Sequence, residues 1–124
     1  MNMQKLTQKS LEALRFCQNE ARENGNSQVE QVHLLHALTA QKEGLIPELL
    51  QKINVDTSSL NRNAEEAIDR LPKVSGSGAD PDKIYVSGAL NSVLEESEAQ
   101  AGKMGDEFIS VEHLMLALIV KADS

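Results

Sequence analysis

One cysteine, Cys17, stands in 124 residues, so no disulfide closes within the chain. A lone thiol fits a reducing compartment, and a cytoplasmic location is the expectation. Aromatic residues number only three, Phe16, Tyr85 and Phe108, and there is no tryptophan. That leaves no platform for stacking bases. Positive charge is outweighed, with 12 Lys and Arg against 19 Asp and Glu, a net charge of -7. The basic residues are scattered, so no patch neutralises a phosphate backbone. Nucleic acid is therefore not an expected partner, and an anionic membrane surface repels the chain. No apolar run approaches the roughly 18 residues that span a bilayer. The opening "MNMQKLTQKS" has no apolar stretch of the secretory kind. Sustained two-residue alternation is also missing, so no real sheet is expected. Only "IYV" at 84–86 reads as extended.

What is present is a repeat. Shifted by 80 residues, 7–38 align with 87–118 without a gap, giving seven identities in 32 positions. Leu14 meets Leu94, Ala21 meets Ala101 and Gly25 meets Gly105. His33, Leu34, Ala37 and Leu38 meet His113, Leu114, Ala117 and Leu118. Apolar character persists at Leu6/Val86, Ala13/Val93, Val29/Ile109 and Leu35/Met115. The identities fall on apolar faces and at the glycine, which argues for duplication.

Each copy reads as helix, glycine stop, short extended link, helix. Thr7 caps a helix over about 8–24, with Leu11, Leu14, Cys17 and Ala21 at three- and four-residue steps. Gly25 ends it in the left-handed conformation, and a second helix covers about 30–42. Ser87 caps about 88–104, Gly105 follows, and Ser110 caps about 111–121, where Leu114, Met115 and Leu118 form the expected buried stripe. Between the copies, Pro47 suits the first turn of a helix over about 46–53. Asp56 begins another, about 57–71, closed by Pro72; residues 73–83 are loop by composition. The fold class is all-α: one domain over 1–124, with repeat one at about 7–71, a connector at about 72–86 and a partial repeat two at about 87–124. By the same offset the second unit would run to about residue 151. The chain is expected to be a fragment whose second repeat stops after two helices.

The twin histidines, His33 and His113, are read as hydrogen-bonding groups that close the packing of each helix pair. Metal or acid–base chemistry is the competing reading, with His33, His36 and His113 as a small metallohydrolase site. A catalytic zinc needs three protein ligands. "VHLLH" lacks the two histidines four apart with a glutamate beside the first, and His36 aligns with Leu116. Cys17 lies on an apolar face, where a thiol is inert. No nucleophile elbow presents a serine, and "SGSGADPDK" lacks phosphate-loop spacing. Glu65, Glu66, Glu95, Glu96 and Glu98 read as solvated helix faces. No enzyme is expected, and no cofactor in this stretch.

The stretches "LTQKSLEAL", "GLIPELL", "RLPKVSG" (70–76), "IYVS" (84–87) and "GDEFISVEHLMLAL" (105–118) resemble the Clp N-terminal domain family over essentially the whole chain. "RLPKVSG" ahead of the second repeat is most similar to the branch carried by ClpB-type disaggregase chaperones. The resemblance implies a duplicated four-helix repeat that binds unfolded or aggregated polypeptide. It also implies a parent hexamer whose ATPase modules, absent here, use ATP and Mg and work with a DnaK-type chaperone system in the stress response. Carried over residue by residue, it implies client-binding roles for Thr7, Ser87, Asp106 and Glu112. Thr7 and Ser87 are also good N-caps in their own right, and Glu112 suits a helix start. Glu96 and Gln100, with His113, stand where related domains hold apolar groove residues, so an apolar client would bury less there, at about 25 cal/mol per Å². The expected site is a shallow groove between the repeats, apolar in its floor and acidic at its rim. A rival within the family is an N domain of the ClpA/ClpC kind that docks adaptor proteins for a protease.

Overall fold

A computed structural model describes residues 3–41, 44–74 and 84–122. A short 3₁₀ turn, Met3–Lys5, leads into six helices: α1 (Gln8–Glu23), α2 (Gln31–Ala40), α3 (Leu45–Lys52), α4 (Thr57–Asp69), α5 (Gly88–Lys103) and α6 (Val111–Lys121). The fold is all-α, as expected. Most of the loop expected over 73–83 lies outside the described residues; the second helix, expected to reach about 42, ends at Ala40, where Gln41 turns extended. α4 stops at Asp69, two residues short of expectation, because Leu71 and Pro72 already follow a turn in which the Leu71 N–H donates to the Ile68 carbonyl.

The helix starts are local chemistry. Thr7 Oγ1 accepts the Ser10 N–H at 3.2 Å, Asp56 accepts the Ser59 N–H at 3.1 Å, and Ser87 Oγ accepts the Leu90 N–H at 3.0 Å. Each satisfies one of the unpaired donors of a first turn. The helix stops are equally regular. Gly25 (φ +74°) and Gly105 (φ +72°) both occupy the left-handed region. Just beyond them the Asn26 and Asp106 N–H groups reach back to the Ala21 and Ala101 carbonyls at 2.8 and 2.9 Å, a helix-ending pattern that a glycine permits without strain.

The two copies are joined crosswise. The "IYV" segment that reads as extended does pair, in a minimal parallel two-strand contact: β1 (Gln28–Val29) with β2 (Tyr85–Val86), Val29 facing Val86. The equivalent contact, Leu6 with Ile109, is a single bridge. These are one interaction made twice, since Leu6 repeats as Val86 and Val29 as Ile109. Even the next hydrogen bonds match: the Thr7 N–H donates to the Ile109 carbonyl at 3.1 Å and the Ser87 N–H to the Val29 carbonyl at 3.0 Å. Each copy's entry to its first helix is thus held by the other copy's entry to its second.

α2 sits centrally and packs on α1, α3, α4, α5 and α6. Its Leu34 and Leu38 are fully buried, in one core cluster with Leu114, Leu90, Ile109 and Ile46. Burial of each such side chain stabilises by about 1.5–3 kcal/mol, so the centre of the fold is apolar and aliphatic. α6 differs from its expected stripe. Val111, His113, Leu114 and Ala117 are buried, whereas Met115 and Leu118 are only partly covered and Leu116, Ile119 and Val120 are exposed.

Candidate functional site: the groove between α1 and α5

His33 and His113 repeat one structural device. In each, Nδ1 accepts the backbone N–H of the residue that opens the helix, Glu30 at 2.8 Å and Ser110 at 2.9 Å. An accepting Nδ1 leaves the proton on Nε2, and this tautomer is assigned from the hydrogen-bond network. Nε2–H then donates to residue 26 or its counterpart 106: Asn26 Oδ1 at 3.0 Å and Asp106 Oδ2 at 2.9 Å. Each histidine therefore ties the start of one helix to the glycine turn that ends the helix before it. The environments differ. Asn26 is buried and also donates to the Pro72 carbonyl at 3.2 Å, whereas half of the Asp106 side chain is exposed. Burial, the largest influence, holds the His33 imidazole below its ordinary pKa; the neighbouring Glu30 opposes this and His36 adds to it.

His36 has a different role. Its Nδ1 lies 2.7 Å from a Glu20 carboxylate oxygen and its Nε2 3.1 Å from Glu65, while the ring meets Phe16 edge-on at 5.5 Å. Each ring nitrogen thus faces a carboxylate from a different helix, which ties α1 and α4 to α2. Among the described residues, no group of three or more His, Cys, Asp or Glu side chains is arranged to hold a metal ion. Burial, reinforced by Glu20, pushes the Cys17 thiol up, so it stays protonated and unreactive.

The residues expected to bind a client all have local partners. Thr7 caps α1 and also donates to Ser10 Oγ at 3.0 Å, and Ser87 caps α5. Asp106 accepts from His113, and Glu112 accepts from Ser110 Oγ. Gln100 donates to Glu96 one turn away, at 3.2 Å. None of the six lines the cleft between the repeats.

That cleft, about 280 Å³, lies between α1 and α5. Leu11 and Leu14 form one wall and Leu90 and Leu94 the other; Val29, Val86 and Cys17 contribute to the lining and Met3 reaches in from the 3₁₀ turn. The lining is largely apolar and its charged residue is Arg15, with Gln18 beside it; neither Asp106 nor Glu112 belongs to it. The reason is geometric, since Asp106 and Glu112 are engaged around the start of α6, away from the cleft. Sequence periodicity marked Leu11 and Leu14 as apolar-face residues, but period identifies a face and not what covers it.

These features define a duplicated helical module with an open apolar cleft at the seam of its two copies. The sequence model of the family described as "Clp repeat (R) N-terminal domain" matches residues 5–124. The chain belongs to that family. Chaperone protein ClpB of Bacillus cereus is 39% identical over 117 residues, covering 94% of this chain and 14% of the relative. The ClpB of Propionibacterium freudenreichii is 40% identical over 118 residues, 95% of this chain and 13% of that protein. The chain thus spans about one-seventh of the length of these relatives, within ClpB-like sequence. The Hsp104 N-terminal domain from Candida albicans shares the fold at TM-score 0.83 and 19% identity, covering 95% of this chain and 75% of that one. So does the N-domain of ClpV from Vibrio cholerae, at TM-score 0.79 and 17% identity, covering 97% of this chain and 69% of that one.

Proposed function

We propose that this domain is the non-catalytic client-binding module of a ClpB-type disaggregase, and that it takes hold of apolar segments of unfolded or aggregated polypeptide in the α1–α5 groove. The single observation that carries this reading is the cleft itself: half-buried Leu11 and Leu14 of one copy and buried Leu90 and Leu94 of the other line it together, with the exposed Met3 and Val86 beside them. An extended segment laid there buries apolar area on both walls at about 25 cal/mol per Å². The cleft is small, so the grip is weak, which suits a module that passes its client on. The parent is read as a hexamer that hydrolyses ATP with Mg in modules outside this chain and acts with a DnaK-type system in the cytoplasm. Thr7 and Ser87 contribute by fixing the starts of the two groove walls; Asp106 and Glu112 contribute by fixing α6. Glu96 and Gln100 stiffen α5 as a pair.

The test is fluorescence anisotropy with a labelled, permanently unfolded client. Leu14→Gln and Val86→Asp, both at positions with part of the side chain already in solvent, are expected to weaken binding about tenfold, or about 1.4 kcal/mol. Their circular dichroism and thermal midpoints should stay close to those of the unaltered domain. Unchanged client affinity in both variants would refute the groove as the site. Binding only to a folded adaptor, and not to the client, would replace this reading with the adaptor-docking one.

A further inference from the structure

We propose that Arg15 makes the groove selective for apolar segments carrying a carboxylate, that is, for clients in which an Asp or Glu flanks the apolar run. The inference rests on the groove being the client site. It concerns which clients the groove prefers.

The argument is one of charge and availability. Arg15 directly follows Leu14 on α1 and is the charged residue in the lining of an otherwise largely apolar cleft. Its side chain is exposed. The other arginines and Lys9 are occupied or lie elsewhere: Lys9 pairs with Glu12, Arg70 with Glu66, and Arg22 donates to Asn19. Among the described residues Arg15 has no ion pair and no hydrogen-bond partner. Its guanidinium is therefore free to take a carboxylate two-pronged, a geometry that lysine does not match. The pseudo-symmetry sharpens the point. The position equivalent to Arg15 on α5 is Glu95, which accepts from Asn91 Nδ2 at 3.1 Å and is not part of the lining. The two walls thus differ in charge, and the cation stands alone at the cleft. The domain as a whole carries -7, which repels acidic polypeptide at a distance. Arg15 reverses that preference locally, so the groove reads sign as well as apolarity.

The experiment uses three labelled peptides with one apolar core, flanked by Glu, Gln or Lys, titrated with the domain and its Arg15→Gln, Arg15→Glu and Arg15→Lys variants. An exposed ion pair is worth a small factor, so the Glu-flanked peptide should bind the unaltered domain about two- to fivefold tighter than the Gln-flanked one. That ratio should shrink at high salt, fall to about one in Arg15→Gln, invert in Arg15→Glu and survive in part in Arg15→Lys. A ratio that persists in Arg15→Gln, or a ratio of one in the unaltered domain, overturns the assignment while leaving the groove reading intact. Failure of the Gln-flanked peptide to bind the unaltered domain at all overturns both.

Discussion

Replacing His113 separates the two bonds of the histidine device. His113→Gln keeps an acceptor at the third position of α6, where glutamine normally closes a capping box, but loses the link to Asp106. The lost bond ends on a carboxylate whose side chain is 47% exposed, so water replaces part of it and the cost is about 1 kcal/mol. His113→Leu fills a similar volume but removes both bonds, and the Ser110 N–H, partly buried, is left without its acceptor. An unpaired buried donor costs about 1–3 kcal/mol; added to the Asp106 bond and offset by the more apolar side chain, the net loss is about 2 kcal/mol. For a domain of this size that corresponds to a fall in Tm of about 8 °C for leucine and about 4 °C for glutamine. Urea denaturation followed by circular dichroism measures both. Equal losses in the two variants would refute the capping role of Nδ1. A leucine variant as stable as the parent would show the imidazole to be dispensable.

Protonation of His33 should be felt as acid sensitivity. Its folded-state pKa lies below the ordinary 6.5, so below that pH the unfolded chain binds more protons. The stability it contributes is complete above about pH 6.5 and is lost as the pH falls from there through the folded value. The urea midpoint of His33→Gln should be the flatter of the two over this window; parallel curves would dismiss His33 as the source. Gly25→Ala and Gly105→Ala should cost about 1–2 kcal/mol each and nearly the same, because both force alanine into the left-handed region while the added Cβ meets nothing closer than 3.7 Å at Gly25 and nothing within 4 Å at Gly105. Costs differing by more than that span would point to packing instead. Asp106→Ala combined with Glu112→Ala should lower stability by about 1–2 kcal/mol, since His113 and Ser110 lose their acceptors, whereas Asp106→Asn keeps an acceptor and stays near the parent. If Asp106→Asn is as stable as the parent yet loses client binding, the carboxylate touches the client directly.

The helices were legible because their signals are local. Thr7, Asp56 and Ser87 sit where caps must, glycines sit where helices end, and leucines recur at the helical period. The twin histidines were legible as architecture through the 80-residue offset alone. What escaped was tertiary. Two-residue strands carry no alternation, so the pairing of Val29 with Val86 left no mark beyond the apolar match at the repeat positions. His36 reads as one more polar residue on α2, because Glu20 and Glu65, its partners, are 16 and 29 residues away in sequence. The acidic rim came from the family resemblance at Asp106 and Glu112, whose carboxylates accept from His113 and Ser110 respectively, while Arg15 is the charged residue at the cleft.

The crosswise strand contacts give these scattered residues a common mechanical meaning. α1 is fixed by the bond from Thr7 to Ile109, which lies just ahead of α6; α5 is fixed by the bond from Ser87 to Val29, just ahead of α2. Each wall of the groove is therefore anchored to the opposite copy at the point where a histidine caps the next helix. Loosening the start of α6, through His113 or Asp106, frees the Ile109 segment and with it the α1 wall, while the corresponding change at His33 acts on the α5 wall. Polar residues that do not line the cleft are thereby expected to influence its width. Client affinity should accordingly respond to substitutions at 106 and 113 in proportion to lost stability, whereas substitutions at Leu14 and Arg15 change affinity with stability held constant. That contrast distinguishes residues that build the groove from residues that meet the client.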